Sequence, residues 1–287
     1  MAAIYQWPGN YSSSVVDGSS GYMYTQEDYF GSDPNFEHPF YGESYDAWTM
    51  SGVFRFTGGL DTSRRSIFML QHASTRLNMG MRIIGSPDEP YISCNLGSND
   101  GASFNIVQGS IRMSTELAAW PENAEHDWIW AALSWSRSLD IVKMAVRHFA
   151  TQQEYFKTIA TETSARNLEW DNAVPTSVSS ICSWGCGIPT GISPGLELWL
   201  GDISQVIMHN QYLNLSEAAS RNKLCHLDGI TNLGVNGEIP FGGQPLVYLP
   251  NGLPSGNKGS IHIGDYPADF YLEGAEVPGA SPPRSAT

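Results

Sequence analysis

The chain has 287 residues, 41% of them hydrophobic and only 15% charged, which is enough apolar content for one or two packed domains and excludes wholesale disorder. Fifteen Lys and Arg against 29 Asp and Glu give a net charge of −14 with no basic cluster, so nucleic acid and anionic membrane surfaces are excluded as partners. The 29 Gly, 17 Pro, 9 Trp, 13 Tyr and 11 Phe favour short strands and turns over helices, and an all-β protein is expected.

The start, Met1-Ala-Ala-Ile-Tyr-Gln-Trp-Pro, has neither the basic nor the apolar segment of a secretion signal, and no run of 18 apolar residues offers a membrane span. Folding in a cytoplasm is expected. The first basic residue is Arg55; before it, residues 1–46 carry seven acids and eleven aromatics, spaced by Gly, Ser and Pro without helical or strand period. Two readings stand side by side. Either this extended segment packs back on its own domain, or it is a docking arm whose Tyr5, Trp7, Tyr11, Tyr22 and Tyr24 fill pockets on another subunit.

Residues 47–228 change character. Short apolar or alternating runs recur between turn signals: 47–56, 66–72, 78–84, 91–96, 103–107, 128–136, 140–148, 155–161, 178–183, 196–200 and 203–209. About ten short strands at this spacing predict a sandwich or jelly roll. Along 140–148, Val142, Met144 and Val146 share one face while Lys143, Ala145 and Arg147 share the other. Asn99-Asp100-Gly101 reads as a hairpin turn. One helix is expected after Leu213, capped by Asn214 with Glu217 reaching back, ending before Gly229 and closing one end of the sandwich.

Residues 229–287 hold eleven Gly and eight Pro and few apolar runs, a composition expected to order only against neighbouring subunits, with Tyr248, Phe270 and Tyr271 as interface side chains. The four cysteines, Cys94, Cys182, Cys186 and Cys225, lack paired C-x-x-C spacing, so neither a disulfide scaffold nor a zinc site is indicated and reduced, buried thiols are expected.

Three stretches resemble the concanavalin A-like lectin/glucanase fold in its laminin-G-like form. Trp48-Thr-Met-Ser-Gly-Val-Phe-Arg-Phe is similar to its opening strand; His126-Asp-Trp-Ile-Trp-Ala-Ala-Leu-Ser-Trp-Ser with Ile141-Val-Lys-Met-Ala-Val is similar to its central hairpin. The stretch from Leu198-Trp-Leu-Gly-Asp-Ile to Asn214-Leu-Ser-Glu is similar to its final strand and capped helix. A concanavalin A-like β-sandwich over 47–228, with one short helix and extended N- and C-terminal arms, is what the resemblance implies. Beyond the helix, Gly242-Gly-Gln-Pro-Leu-Val-Tyr-Leu-Pro-Asn-Gly, Gly256-Asn-Lys-Gly and Asp269-Phe-Tyr-Leu-Glu-Gly resemble tails of structural proteins of tailed bacteriophages.

Catalytic patterns are sought and not found. Glucanases of this fold carry three alternating acids on one strand, but after Glu169-Trp-Asp171 the third acid is replaced by Ala173-Val-Pro175; Glu197 and Asp202 match no better. Gly191-Ile-Ser-Pro-Gly195 matches a nucleophile elbow in letters only, because Pro194 has no N–H for an oxyanion hole. Seven histidines include no H-E-x-x-H pair, and no metal site is expected. The resemblance keeps calcium open, with Asp61 or Asn99-Asp100 as isolated donors, but no cofactor is expected.

A non-enzymatic virion protein is what these resemblances imply. The leading expectation is a capsid decoration or cement protein on the shell exterior, assembled in the host cytoplasm, bound to the major capsid protein and self-associated as a trimer. The alternative is a host-glycan recognition module of a tail fibre or spike, with Trp120 and Trp184 as sugar platforms. Trp128, Trp130, Trp135 and Trp199 are expected in the core.

Overall fold

A computed structural model describes residues 5–6, 22–25, 45–56, 65–72, 77–84, 91–99, 104–112, 127–159, 166, 180–184, 201–234, 237–249, 258–260, 269–273, 277–278 and 282–285. The strands are β1 (Tyr5–Gln6), β2 (Tyr22–Thr25), β3 (Ala47–Phe56), β4 (Arg65–His72), β5 (Leu77–Ile84), β6 (Tyr91–Asn99), β7 (Phe104–Arg112) and β8 (Trp128–Ser136). They continue as β9 (Ile141–His148), β10 (Gln153–Thr158), β11 (Ser180–Trp184), β12 (Gly201–His209), β13 (Val247–Leu249), β14 (Lys258–Ser260), β15 (Asp269–Glu273) and β16 (Val277–Pro278). One helix, α1 (Ala218–Leu224), follows β12.

All the strand pairs are antiparallel and form two sheets. Sheet one runs β10-β9-β8-β3-β12-β1-β16, with β13 also on β12; sheet two runs β14-β15-β2-β11-β4-β5-β6-β7. The fold is thus the expected all-β sandwich. Strands β3 and β8 coincide with the expected runs; β6 and β7 extend further, to Asn99 and Arg112. Polar Gln108, Gly109 and Ser110 end the apolar run in β7 but leave its backbone free to continue the ladder opposite β6. The β6–β7 hairpin closes at Asn99 opposite Phe104, and its turn residues lie outside the described residues, as does the run expected at 196–200. Strand β9 starts one residue later than expected because Asp140, at φ 54°, completes the turn from β8.

Alternation sorts the inner layer. Trp48, Met50 and Phe54 of β3 align with Trp135, Leu133 and Ile129 of β8, and Val142, Met144 and Val146 of β9 continue the same face. All are buried, and the Trp48 and Trp135 rings stack with centroids 6.2 Å apart. Sheet two contributes Met81, Ile92, Cys94, Leu96 and Ile111. Ile159, just past β10, lies over Gly109 of β7, and Lys157 of β10 acts electrostatically on Cys94 of β6, so the two sheets face each other. Each such large side chain removed from water stabilises the fold by roughly 1.5–3 kcal/mol.

The outer face of sheet one is also covered. After β12 the chain turns back, and Leu213, Leu215, Leu224, Cys225, Ile230, Leu233 and Tyr248 pack on Val53, Trp128, Trp130, Ala132, Ala145 and Ile207. All nine residues of β8 are consequently buried. Two polar outer positions are satisfied by the crossing chain: the Leu213 N–H donates to Thr49 Oγ1 and Ser134 Oγ, each at 3.0 Å, and Thr49 Oγ1 donates to the Gln211 carbonyl at 2.7 Å.

This layer corrects two expectations. The helix begins at Ala218, not after Leu213: Asn214 and Glu217 do meet, but Asn214 Nδ2 donates to Glu217 Oε1 at 2.7 Å in a preceding turn, and the cap position falls on Glu217 without a side-chain cap. The helix also lies on the face of sheet one, through Leu224 and Arg221, and does not close an end. Parts of both terminal segments are strands of the sandwich: β1 pairs with β12, β2 with β11, β13 with β12, and β15 with β2.

Candidate functional site

Three side-chain groups on sheet one are built from residues far apart in sequence. The first joins β9, β10 and α1. Glu154 accepts from Arg147 Nε at 2.9 Å and Nη2 at 2.8 Å, and from Arg221 Nε at 3.0 Å and Nη2 at 2.6 Å. Arg147 Nη1 also donates to the Cys225 carbonyl, and Arg221 Nη1 to that of Leu215 at 2.8 Å. Both arginines are buried, and each lies over a ring, Arg147 over Trp130 and Arg221 over Phe156. Burial pulls the Arg147 guanidinium below its usual range, with Glu154 opposing; burial pushes Glu154 up, but the two guanidiniums more than offset this and leave its carboxyl below the usual range. With every Glu154 oxygen committed, the group fastens α1 to the sheet.

In the second group His148 bridges Asp127 and Thr151. Its Nε2 lies 3.1 Å from Asp127 Oδ2 and its Nδ1 2.7 Å from Thr151 Oγ1. These are the parts of a nucleophile-activating relay, but the His148 side chain is completely buried and the hydroxyl belongs to the turn three residues on. Burial lowers the His148 pKa against the pull of Asp127. The arrangement pins the β9–β10 turn.

The third group is His209, stacked on Phe241 with centroids 4.1 Å apart and planes 13° from parallel. The residue is 3% exposed, and neither ring nitrogen makes a hydrogen bond of good geometry; the Gly243 carbonyl is near enough only to oppose weakly a fall in pKa that burial carries to about 4. Among the described residues no group of three or more His, Cys, Asp and Glu could hold a metal ion. Cys94 and Cys225 are free and buried, as expected; burial pushes the Cys94 thiol to about 12 and that of Cys225 higher still.

Sheet two carries a different surface. Along β6 and β7, Ile92, Cys94, Leu96 and Ile111 are buried, whereas Tyr91, Ser93 and Ser110 are half-buried and Arg112 is exposed. The register sets Tyr91 opposite Arg112 and Ser93 opposite Ser110, so hydroxyl groups, an aromatic ring and a guanidinium share the side away from the core. The sequence reading missed this row, although the alternation Tyr91-Ile-Ser-Cys-Asn-Leu96 was its signal.

The expected site residues fall out as follows. Tyr248 is a core residue, not an interface one: it is buried in the outer layer, its hydroxyl donates to the Gly234 carbonyl at 3.2 Å, and burial raises its pKa to about 12. Tyr5 lies on β1, Tyr22 and Tyr24 on β2, and Phe270 and Tyr271 on β15, with Tyr24 opposite Tyr271. Trp184 is the last residue of β11, opposite Phe68 and Met23, and not in a turn. Trp7, Tyr11 and Trp120 lie outside the described residues, as do Trp199, Asp61, Asp100, Glu169, Asp171, Glu197 and the 191–195 segment. Trp128, Trp130 and Trp135 are buried as expected, but on both faces of β8.

No protein-family model matches the sequence, and no curated protein does. Among solved structures, the chain is similar to the heptameric SAP-like pentraxin of Limulus polyphemus, at 12% identity and a TM-score of 0.46 over 98% of this chain and 95% of that one. It is similar to the enzymatically active domain of tailspike protein 2 of bacteriophage CBA120, at 10% identity and 0.46 over 72% of this chain and 26% of the other. A binding domain of botulinum neurotoxin DC, solved with SialylT, gives 12% identity and 0.37 over 74% and 43%.

Proposed function

We propose that this chain is a non-catalytic, carbohydrate-binding sandwich of a tailed bacteriophage, carried on a tail fibre or spike, where it recognises host surface glycans. The observation that carries the reading is the asymmetry of the two sheets. The central strands β3 and β8 of sheet one have both faces covered by the chain itself, whereas β6 and β7 of sheet two turn Tyr91, Ser93, Ser110 and Arg112 away from the core. Hydroxyl donors and acceptors beside an aromatic ring and a guanidinium are the chemistry that sugar hydroxyls pair with. A non-catalytic role is supported by His148, Glu154, Cys94 and Cys225, which are tied up or buried.

The phage assignment rests on the resemblance of the sequence. That resemblance lies in the segments after the helix; the three stretches of the lectin-like resemblance, which speak for the fold alone, lie side by side as β9-β8-β3-β12, followed by α1. Decoration of the capsid rested on free arms, and parts of both terminal segments pair within the sheets instead. Self-association as a trimer remains part of the proposal.

The test has two arms. Purified chain is titrated against polysaccharide from the host surface by isothermal calorimetry, and its copy number relative to the major capsid protein is counted by quantitative mass spectrometry of virions. Saturable binding and a handful of copies are expected; hundreds of copies without glycan binding would return the chain to the shell exterior as a decoration protein.

A further inference from the structure

Residues 237–246, Gly-Glu-Ile-Pro-Phe-Gly-Gly-Gln-Pro-Leu, cover the end of β12 and are fastened at both ends. The Ile239 N–H donates to the Leu233 carbonyl at 3.0 Å, and the Leu246 N–H to the Met208 carbonyl at 2.7 Å. The first end is also clamped: Gly237, at φ 75°, lies so close to the Tyr248 ring that a Cβ there would meet it at 2.8 Å. Between these fastenings the segment is loose. The Gly242 N–H bonds only inward, to the Glu238 carbonyl at 2.8 Å, and both Gly242, at φ 72°, and Gly243 have open space where a Cβ would stand. Glycine changes backbone conformation at little cost, so this pair is built as a hinge. Residues 240–245 meet β12 through the Phe241 ring, stacked on His209 with centroids 4.1 Å apart, while Pro240 and Pro245 are buried beside it.

We propose that this segment is an acid-opened lid: protonation of His209 breaks the stack with Phe241, and residues 240–245 swing off β12 about Gly242 and Gly243. An imidazolium carries a charge and two N–H donors, and the closed site answers neither. Both ring nitrogens are buried without a hydrogen bond of good geometry, and no ionised group acts on the ring. Each element around it agrees. Strand β3 sets Thr49 opposite His209, its hydroxyl committed to the Gln211 carbonyl, and Asp46, three residues earlier, pairs with Arg137 at 3.4 Å. The chain leaving β12 adds Asn210 and Gln211, and the chain entering β13 adds Leu246, all uncharged. The lid's single charged side chain, Glu238, lies against Gly234 and acts on Tyr248. The face of Phe241 attracts a cation by less than the lost hydration costs it, so the charged ring is favoured where water reaches it. Closure is therefore complete above about pH 6.5 and weakens as the pH falls towards 4, because the open ring takes up its proton more readily than the closed one.

The experiment is amide hydrogen exchange of the full chain at pH 7.5 and pH 5, read by mass spectrometry and corrected for the intrinsic pH dependence of exchange. The peptide spanning 238–246 reports the lid, and the peptide spanning β8 reports the sandwich beneath it. From 6.5 for the open ring and about 4 for the closed one, opening should increase roughly thirtyfold between the two pH values, and protection of the lid peptide should fall by that factor while β8 keeps its own. His209→Phe keeps a ring under Phe241 and removes the proton, so its lid protection should change by less than about twofold. Phe241→Ala removes the latch and should leave the lid poorly protected at both pH values. Protection of β8 at pH 7.5 checks that each variant folds, and His209→Leu serves if His209→Phe does not. Equal lid protection of the wild type at the two pH values overturns the inference. So does a fall in His209→Phe as large as in the wild type, a lid in Phe241→Ala that still opens only in acid, or a parallel loss in β8, which would mean that acid loosens the whole sandwich.

Discussion

His209 makes the stability of this protein depend on pH in a direction that its surroundings fix. The ring is stacked on Phe241 in the layer that closes sheet one, and burial lowers its pKa from 6.5 to about 4. A base whose folded pKa is depressed is protonated more readily in the unfolded chain, so its contribution is complete above about pH 6.5, falls between 6.5 and 4, and levels off below 4. The ceiling for such a shift is about 3 kcal/mol at 1.36 kcal/mol per pKa unit, and local relaxation around the protonated ring reduces it to about 2 kcal/mol. His209→Phe preserves an aromatic ring against Phe241 and removes the titration. Urea unfolding monitored by tryptophan fluorescence at pH 7.5, 5.5 and 4 should show the wild type losing about 2 kcal/mol more than His209→Phe over that range. Acid loss through His148 and the carboxylates is common to both proteins and cancels. Identical pH slopes would refute the reasoning, because they would mean that protonated His209 finds solvent without leaving its place.

Other consequences follow from the same contacts. Glu154→Gln leaves Arg147 and Arg221 buried without their carboxylate and should cost about 3 kcal/mol by chemical denaturation, whereas replacing all three together with Met or Leu should cost far less. A Cβ at Gly52 would meet the Phe54 ring at 2.5 Å, so Gly52→Ala should lower stability by about 1–3 kcal/mol, read as a drop in Tm; an unchanged Tm would show that the ring swings clear. Cys94 and Cys225 should resist iodoacetamide in the native state at pH 8 and react in urea, as peptide mass mapping would show, since burial raises both thiols.

Much of the sandwich was legible because strand periodicity is local. The run from Trp48 to Phe56 and the hairpin from Trp128 to His148 carry their own alternation or continuous apolarity, and the structure pairs them residue for residue, Trp48 with Trp135 and Phe54 with Ile129. What periodicity does not report is which partner covers a face. The nine buried positions of β8 were readable as an apolar run, but their second cover is formed by Leu213 together with Ile230 and Tyr248, the last two from a segment whose Gly and Pro content argues for an arm. The helix start was misplaced for a related reason: Asn214 and Glu217 satisfy a cap in spacing, yet their side chains bond to each other in a turn that already packs Leu213 and Leu215 on the sheet, and the helix begins only at Ala218.

By itself, then, the sequence determined the all-β class, the position of most strands in 47–228, the burial of Cys94 and Cys225, and the resemblance from which the phage reading comes. Only the tertiary structure decided that β3 and β8 are covered on both sides and that β6 and β7 keep a polar side. It also set Tyr91 opposite Arg112 and Ser93 opposite Ser110. Charge and hydroxyl content are properties of single residues, but a binding surface is a property of register, and antiparallel register joins the end of one strand to the start of the next through loops whose composition carries no record of it.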